Sequence, residues 1–400
     1  MQKGSFQWMK SLNKSMILNK IRVSGSISRA QIAKDTKLTP PTVSSIVKEL
    51  IEEELVIESQ QGESSGGRKP TMLVINEHGF YVLGLDIGPV KIRIVLTNIN
   101  GDVLASHSKE LPSTITNEIL LDLLIAEIHF MLENFAEPHR KLIGIGIGMH
   151  GVIDVEHGNC LFAPDLQLRD IPIKEILGEH FQAPVKVEND ARVMALGETW
   201  FSSDHNKSGT IVTINVGQGI GAGIVVEGNL LHGEHNLAGE IGHMSIDLSG
   251  NKCTCGNFGC LQTLASGVAI KERALKELAM GKNSFLHEMV NGIEAKTIYE
   301  AACKGDLLSI ELLHNTGIYL GIGITNLIHL LNPTKIIITG GVSNAGDYIL
   351  KGIKDTVAGR ALTLNAKSTE IVISKLGEYS AAIGAAALVL VELFSIDQVE

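Results

Sequence analysis

A cysteine cluster is the feature of this sequence that points most directly to chemistry. Three of the five cysteines fall within CTCGNFGC (253 to 260), and a histidine precedes them at position 243. Disulfide bonding, thiol redox chemistry and metal binding are the candidate roles. No run of 18 or more apolar residues occurs, and no apolar segment follows the basic N-terminus, so we expect a cytoplasmic protein without a membrane partner. In that reducing compartment, clustered Cys with a nearby His favours metal binding.

The cluster has the composition of a closed structural zinc site. The predicted zinc ligands are His243, Cys253, Cys255 and Cys260. Gly256 and Gly259 supply a backbone that can turn tightly around an ion. A catalytic zinc is not expected because no ligand position is left for water, and no helix with a second His follows to make a DNA-reading finger. Unmetallated buried thiols are the alternative, and the isolated Cys160 and Cys303 are predicted to be core residues.

Charge is unevenly distributed along the 400 residues. Residues 1–48 contain nine Lys or Arg and one acid, Asp35, so this stretch carries +8; the whole chain carries −10, and the remainder therefore −18. A basic module on an acidic body indicates a polyanionic partner for the module alone. A solvated helix surface would show the same excess of charge, so the local pattern must decide between them.

The local pattern predicts a helix-turn-helix. Apolar spacing predicts a first helix over 16–23, and Ser28 with Gln31 forms a capping box for a second helix. Thr39 is the predicted N-cap of a third helix, which has two prolines in its first turn. The apolar face of the third helix is Val43, Ile46, Val47, Leu50 and Ile51. Small hydroxyls and a lysine on its other face suit the phosphates and base edges of DNA.

A wing is completed by two strands, predicted over 55–59 and 71–76, that flank the polar segment QQGESSGGRKP. Arg68 and Lys69 at its tip are placed to enter a minor groove, whose negative potential attracts Arg. Without the helix-turn-helix before it, the same segment would be consistent with any polar loop. We therefore predict operator DNA as the partner of a domain spanning residues 1–78. The predicted DNA contacts are Arg29, Thr39, Thr42, Ser44, Ser45, Lys48, Arg68 and Lys69.

Residues 79–400 are predicted to form an α/β body of two related lobes. A strand, glycine turn, strand and hairpin in YVLGLDIGPVKIRIVLTNING (81 to 101) recur in TIVTINVGQGIGAGIVVEG (210 to 228), with Gly217 in the place of Gly88. Unless the match is fortuitous, such lobes face one another across a cleft suited to a small molecule. Asn189, Asp190 and Glu240 are polar groups in glycine-rich contexts that suit vicinal sugar hydroxyls, or a helix N-cap at 189 or 190.

Seven segments of the body together resemble the ROK family of bacterial repressors and sugar kinases. They are GLDIGPVK (84 to 91), GIGIGMHGVID (144 to 154), VENDARVMALGE (187 to 198), INVGQGIGAGIVVEG (214 to 228), LAGEIGH (237 to 243), CTCGNFGC (253 to 260) and IIITGGV (336 to 342). The resemblance covers nearly the whole chain. It implies two actin-like, ribonuclease H-type lobes behind the N-terminal winged helix-turn-helix that the repressor members carry.

The resemblance also implies a sugar site. The positions that match the family's sugar contacts are Asn189, Asp190, Glu240 and His243, so the zinc would hold one wall of that site. One departure is that the family's Glu two residues after the last cysteine is Gln262 here, which keeps an acceptor but loses the charge. None of these five residues is a Lys or Arg, which favours an uncharged sugar over a sugar phosphate. Within the family, the resemblance favours D-xylose.

The sequence of the first glycine turn distinguishes the sugar kinases of the family from its repressors. Its kinases carry D-x-G-G-T-K there and use the aspartate at position 190 as a base, whereas this turn reads DIGPVK (86 to 91). Pro89 has no N–H and Val90 has no hydroxyl, so two phosphate contacts are missing. We therefore expect a sugar-responsive repressor that is not an enzyme and that dimerises to read two-fold half-sites. The alternatives are a sugar kinase with a DNA-binding extension, and a repressor whose effector is another sugar, a phosphosugar or a protein.

Overall fold

The computed structural model describes residues 6–61, 70–201 and 209–394. They divide into two compact units. The first contains the described residues up to Ile147, the segment Glu156–Val187 and the described residues from Ala385 onward; the second contains Gly148–Val155 and Glu188–Gly384. Helices pack on sheets in both units, which confirms the α/β class.

A winged helix-turn-helix opens the first unit. Its elements are α1 (Phe6–Ser24), β1 (Ile27–Ser28), α2 (Arg29–Thr36), α3 (Pro40–Glu52), β2 (Val56–Gln61) and β3 (Thr71–Ile75). Helix α1 begins at Phe6 rather than at the predicted position 16, because the polar stretch ahead of the apolar face contains no Gly or Pro that would end a helix. Strands β2 and β3 pair antiparallel and form the predicted wing. The predicted wing-tip residues Arg68 and Lys69 lie outside the described residues.

Side-chain caps start the two helices of the motif. Ser28 Oγ accepts from the backbone N–H of Gln31 at 3.2 Å, but the Gln31 side chain donates to Asp35 Oδ1, so only half of the predicted capping box forms. Thr39 caps α3 by accepting from the backbone N–H of Thr42 at 3.4 Å. The predicted apolar face of α3 is buried except for Ile51, which is half-buried. The spacing therefore predicted the orientation of α3 correctly.

The first unit also holds a five-stranded sheet with the order β11-β7-β4-β5-β6. Its strands are β4 (Phe80–Ile87), β5 (Lys91–Thr97), β6 (Val103–Glu110), β7 (Lys141–Met149) and β11 (Val185–Asn189). The remaining strands between β7 and β11 are β8 (Val152–Asp154), β9 (Asn159–Ala163) and β10 (Leu168–Ile171), and the helices are α4 (Asn117–Phe135) and α5 (Ile173–Phe181). Strand β4 is buried along its whole length, which places the core of this unit around it.

The second unit repeats this plan with a five-stranded sheet of order β14-β13-β12-β15-β16. Its strands are β12 (Thr210–Val216), β13 (Ile220–Val226), β14 (Asn229–Leu230), β15 (Lys335–Thr339) and β16 (Glu370–Ile373). In both sheets the strands follow the order 3-2-1-4-5 when counted along the chain within each sheet. The repeat predicted from the two glycine turns is therefore present in the tertiary structure.

Eight α-helices and four 3-10 helices follow β11 in the described part of the chain. The α-helices are α6 (Asp190–Trp200), α7 (Gln262–Ala265), α8 (Gly267–Ala279), α9 (Ala295–Cys303), α10 (Leu307–Leu331), α11 (Asp347–Arg360), α12 (Leu364–Lys367) and α13 (Ser380–Phe394). The 3-10 helices are Ile241–His243, Phe285–Gly292, Gly341–Ala345 and Gly377–Tyr379. Two stretches, Leu307–Leu331 and Gly377–Phe394, are long and apolar enough to cross a membrane, but 56% of the tested window in each is buried inside the protein, which is typical of core helices.

Candidate functional site

The predicted metal ligands come together in the second unit. The ligand atoms of His243, Cys253, Cys255 and Cys260 lie within 4.8 Å of one another. Cys253 Sγ lies 3.6 Å from His243 Nδ1, and Cys255 Sγ lies 3.7 Å from Cys260 Sγ. A tetrahedral zinc ion with bonds of about 2.3 Å to sulfur and about 2.0 Å to nitrogen has S–S edges of about 3.8 Å and N–S edges of about 3.5 Å. The four residues therefore form a set that fits a tetrahedral metal ion.

The loop that carries the cysteines depends on glycine. Gly256 and Gly259 adopt φ values of 94° and 64°, in the left-handed region. A Cβ at Gly259 would lie 1.5 Å from the carbonyl oxygen of Asp247, so no other residue fits there. The turn brings Cys260 back towards His243, whose carbonyl oxygen is 3.4 Å from Cys260 Sγ. This is the tight backbone that the cysteine and glycine spacing predicts.

Electrostatics inside the cluster favour one thiolate. Burial opposes ionisation of Cys253, but hydrogen bonds from the Cys255 backbone and the His243 ring lower the pKa of this thiol to about 6. Burial and the neighbouring sulfurs raise the pKa of Cys260 to about 12. Because the thiolate is the form that binds metal, the cluster holds one metal-binding sulfur in its charged state at neutral pH.

Gln262 lies directly beside the metal cluster. It opens helix α7, and its Nε2 donates to Cys253 Sγ at 3.3 Å. A carboxylate at this position could not donate to a thiolate and would repel it, whereas an amide can donate and is neutral. The departure from the family's Glu therefore has a physical role in this chain, which is a hydrogen bond to a sulfur of the cluster that could hold a metal ion.

Asn189 and Asp190 lie at the start of helix α6 and have different roles there. Asn189 Oδ1 accepts from the backbone N–H groups of Ala191 and Arg192 at 3.0 and 3.3 Å, and its Nδ2 donates to the Gly151 carbonyl at 3.1 Å. The N-cap that the sequence allowed at Asn189 is therefore present, and one N–H of its amide has no hydrogen-bond partner in the described structure. Asp190 is half-buried, and within the described part of the chain its carboxylate has no hydrogen-bond or ion-pair partner. It is the carboxylate that is open to a ligand.

Glu240 lies on the loop that leads to His243. It is exposed and precedes the 3-10 helix that ends at His243. The loop is held against β13, where the Ala222 N–H donates to the Gly239 carbonyl at 2.8 Å. Helix α6 packs on the same strand. Strand β13 therefore supports both chain segments that carry the predicted sugar contacts.

A buried ion pair beneath these residues was not predicted from the sequence. The side chains of Glu188 and Arg192 are 1% and 3% exposed, and Arg192 Nη1 donates to Glu188 Oε1 at 2.9 Å. His232 Nε2 lies 2.6 Å from Glu188 Oε2, and Arg192 Nη2 donates to the Asn236 carbonyl. Burial opposes ionisation of Glu188, but the His232 hydrogen bond and the Arg192 charge keep its pKa below the ordinary value. The signal in the sequence was a Glu and an Arg four residues apart.

The first glycine turn contains a second unpredicted ion pair. Asp86 and Arg93 are directly opposite in the register of β4 and β5, and Arg93 Nη1 donates to the buried Asp86 carboxylate at 2.8 Å. The N–H of Gly88 donates to the Lys91 carbonyl at 3.2 Å, within the turn itself. Arg93 therefore neutralises the Asp86 carboxylate, which could otherwise bind a metal ion that accompanies a nucleotide phosphate. This adds to the missing phosphate contacts at positions 89 and 90.

The predicted DNA-binding face is only partly free. Ser44, Ser45 and Lys48 are exposed on α3, as predicted. Arg29 is paired with Glu58 of the wing strand β2, with Arg29 Nη2 2.8 Å from Glu58 Oε1. The hydroxyls of Thr39 and Thr42 lie 2.8 Å apart and are engaged in the helix cap. The exposed side chains of α3 are therefore the groups most available to base edges and phosphates.

Comparisons with known proteins agree with this architecture. Residues 82–392 match the model of the ROK family, and residues 12–57 match a winged helix-turn-helix DNA-binding model. The chain therefore belongs to the ROK family, and it carries an N-terminal DNA-binding module.

Among individual relatives, repressors match over almost the full length. A xylose repressor of Bacillus spizizenii is 35% identical over 383 residues, which covers 96% of each chain. An N-acetylglucosamine repressor of Escherichia coli O157:H7 is 34% identical over 388 residues and covers 97% of this chain and 94% of the relative. The crystal structure of a ROK family transcriptional regulator, described as a homologue of the E. coli Mlc protein, superposes with a TM-score of 0.87 at 30% identity and covers 97% of both chains.

Proposed function

We propose that this protein is a sugar-responsive transcriptional repressor that D-xylose releases from its operator. The observation that carries the proposal is a single chain that joins a winged helix-turn-helix to a ROK body with a free carboxylate, Asp190, at the start of a capped helix. The near-full-length similarity to repressors supports the class of function. The similarity to a xylose repressor supports D-xylose as the effector. Because an N-acetylglucosamine repressor matches at almost the same identity, N-acetylglucosamine is the sugar with which D-xylose should be compared.

An uncharged sugar suits the proposed contacts Asn189, Asp190, Glu240, His243 and Gln262, which supply carboxylate, amide and imidazole groups. Arg192 is the cation next to them in sequence, but its guanidinium is buried and already paired with Glu188 and the Asn236 carbonyl. It has no free donor face for a phosphate group. This favours an unphosphorylated effector.

Kinase activity is the second candidate, and the first glycine turn argues against it. Phosphoryl transfer depends on positioning and on charge stabilisation by backbone donors and a metal ion. In this turn Pro89 lacks a donor, and Arg93 neutralises Asp86. We therefore propose a protein that binds the sugar and does not phosphorylate it.

The remaining parts of the proposal concern organisation. We propose that the DNA-binding domain spans residues 1–78 and the sugar-binding body residues 79–400, and that a structural zinc is held by the Cys3His set. Two-fold operators call for two copies of a helix-turn-helix, so we propose a homodimer that acts on DNA in the cytoplasm. Sugar binding biases the body towards a conformation in which the two DNA modules no longer match their half-sites.

A sugar titration of the purified protein tests this function. Millimolar D-xylose is expected to raise the melting temperature and to release labelled operator without ATP, because a ligand that binds one conformation better stabilises it by mass action. N-acetylglucosamine and xylose phosphate are the comparison ligands, and ADP formation is followed in parallel. Release by one of the comparison ligands but not by D-xylose would identify that ligand as the effector. Xylose-dependent ADP formation would show that the protein is a kinase.

The wing supplies a prediction about DNA binding. Arg68→Ala is expected to weaken operator binding by about 1–3 kcal/mol without changing the melting temperature, because a wing-tip side chain contacts DNA and not the core. Gel-shift titration measures the affinity. Arg360→Ala, an exposed arginine at the end of α11, is the matched control and should bind operator as the wild type does. Equal affinity of the Arg68 variant and the wild type would remove the wing from the recognition surface.

A further inference from the structure

The buried Glu188 carboxylate contacts both chain segments that carry proposed sugar contacts. On one side it accepts from the backbone N–H of Asn189 at 2.7 Å and from Arg192 Nη1 at 2.9 Å, both at the start of helix α6. On the other side it lies 2.6 Å from His232 Nε2. Because an ionised carboxylate only accepts hydrogen bonds, His232 must carry a proton on Nε2 and donate it.

His232 is the second residue of the loop formed by residues 231–240, here called the Glu240 loop. None of its ten residues is buried, so the loop has no apolar side chain that anchors it to the core. Within the described chain, four hydrogen bonds join it to elements that are distant in sequence. They are the His232–Glu188 bond, the Arg192 bond to the Asn236 carbonyl, and two bonds to β13, in which the Leu231 N–H donates to the Ile224 carbonyl and the Ala222 N–H donates to the Gly239 carbonyl. The position of the loop therefore depends on hydrogen bonds, and two of these four lead to the Glu188–Arg192 pair.

We propose that Glu188 is a positioning residue that holds helix α6 and the Glu240 loop with one carboxylate, so that Asp190 and Glu240 are presented to the sugar together. The hydrogen bonds that join helix α6 to the Glu240 loop through Glu188, Arg192 and His232 are here called the tether. The expected effect of the tether on sugar binding rests on the proposed function, whereas its effect on the position of the loop does not. Arg192 completes the arrangement from the same helix by holding the middle of the loop at the Asn236 carbonyl. His232 is the only part of this tether that is substantially exposed, with 34% of its side chain accessible.

His232 is consequently the best position for a test. Substitution of Glu188 or Arg192 would leave an unpaired buried charge and endanger folding. His232→Ala removes one hydrogen bond to a charged group at a partly exposed site, and His232→Gln keeps an N–H donor of similar reach. His235→Ala is the matched control, because His235 is an exposed histidine of the same loop with no side-chain partner in the described structure.

Two measurements on the full-length protein separate the tether from the sugar. Backbone hydrogen exchange over residues 231–240 without sugar is expected to be faster in His232→Ala and close to wild type in His232→Gln and His235→Ala. D-xylose affinity by titration calorimetry is expected to fall about tenfold in His232→Ala, as for one hydrogen bond to a charged group, with at most about a twofold loss in the other two variants. The melting temperature without sugar should fall by about a few degrees in His232→Ala, because the buried Glu188 carboxylate loses one donor, and should change little in the other two variants.

The outcomes distinguish the two proposals. Exchange and affinity that stay at wild-type values in His232→Ala would overturn the tether. A His232→Gln protein as weak as His232→Ala would also overturn it, because the donor would then not be what matters. Wild-type protein that shows no heat with D-xylose would overturn the proposed effector, while faster exchange in His232→Ala would still support the tether.

Discussion

Replacing Asp190 with alanine is expected to abolish the response to D-xylose and to leave operator binding intact. The Asp190 carboxylate is half-buried and has no partner in the described structure, so it is available to accept from two vicinal hydroxyls. Each hydrogen bond to a charged group contributes about 1.5–3 kcal/mol, so the loss of both should weaken the sugar at least about a hundredfold. Titration calorimetry and operator release measure the two effects.

The structural cost of this substitution should be small. Asp190 is the first residue of α6, but the cap of that helix is formed by Asn189, which remains. Removal of a favourable charge from the first turn costs about 0.3–1 kcal/mol. Asp355→Ala, an exposed aspartate on α11, is the control and should keep the full response. If Asp190→Ala protein were still released by D-xylose at wild-type concentrations, the proposed sugar site would be wrong.

The substitution Cys255→Ser is expected to remove the metal and the sugar response together. Wild-type protein should contain about one zinc ion per chain, and the variant much less, because a hydroxyl replaces one of four ligands of a closed site. Without the ion, the loop from Cys253 to Cys260 loses the constraint that holds His243 and, through Cys253, Gln262 in place. The melting temperature should fall as well, since metal binding to the folded state contributes folding free energy.

Two features of the chain make this test specific. Cys255 is exposed, so the change from sulfur to oxygen by itself costs little packing, in contrast to the buried Cys253 and Cys260. Cys303 lies outside the cluster and is exposed, so its predicted place in the core was wrong, whereas Cys160 is buried as predicted. Cys303→Ser should therefore keep zinc, stability and response. Elemental analysis reports the metal content directly. Folded, xylose-responsive protein without zinc would show that the four residues do not require an ion.

Local and periodic features were predictable because they depend on residues close in sequence. The spacing of Val43, Ile46, Val47 and Leu50 predicted the buried face of α3, since neighbours at i+3 and i+4 share one side of a helix. The glycine turns predicted two related sheets, whose common strand order the structure confirms. The four-residue metal cluster was predictable for the same reason, because its residues span only positions 243 to 260.

The partners of charged and polar side chains could be identified only from the tertiary structure. Arg29, a predicted DNA contact, pairs with Glu58 in the protein without DNA, because the antiparallel wing brings an acid of β2 next to α2. Asp86 and Arg93 are opposed only because of the β4–β5 register. Gln262 was predicted only as a sugar contact, whereas folding of the cysteine loop places it on Cys253 Sγ.

By itself, then, the sequence determined the family, the winged helix-turn-helix, the repeated sheet and the four residues that come together as a cluster able to hold a metal ion, all of which are encoded in short motifs and regular spacing. Only the tertiary structure decided that Asn189 is committed to capping α6 while Asp190 stays free, and that Glu188 joins this helix to His232 of a distant loop. The physical reason is that a buried carboxylate must find donors wherever the fold supplies them. Its partners, 44 residues away in the case of His232, are set by packing and not by neighbourhood in the chain.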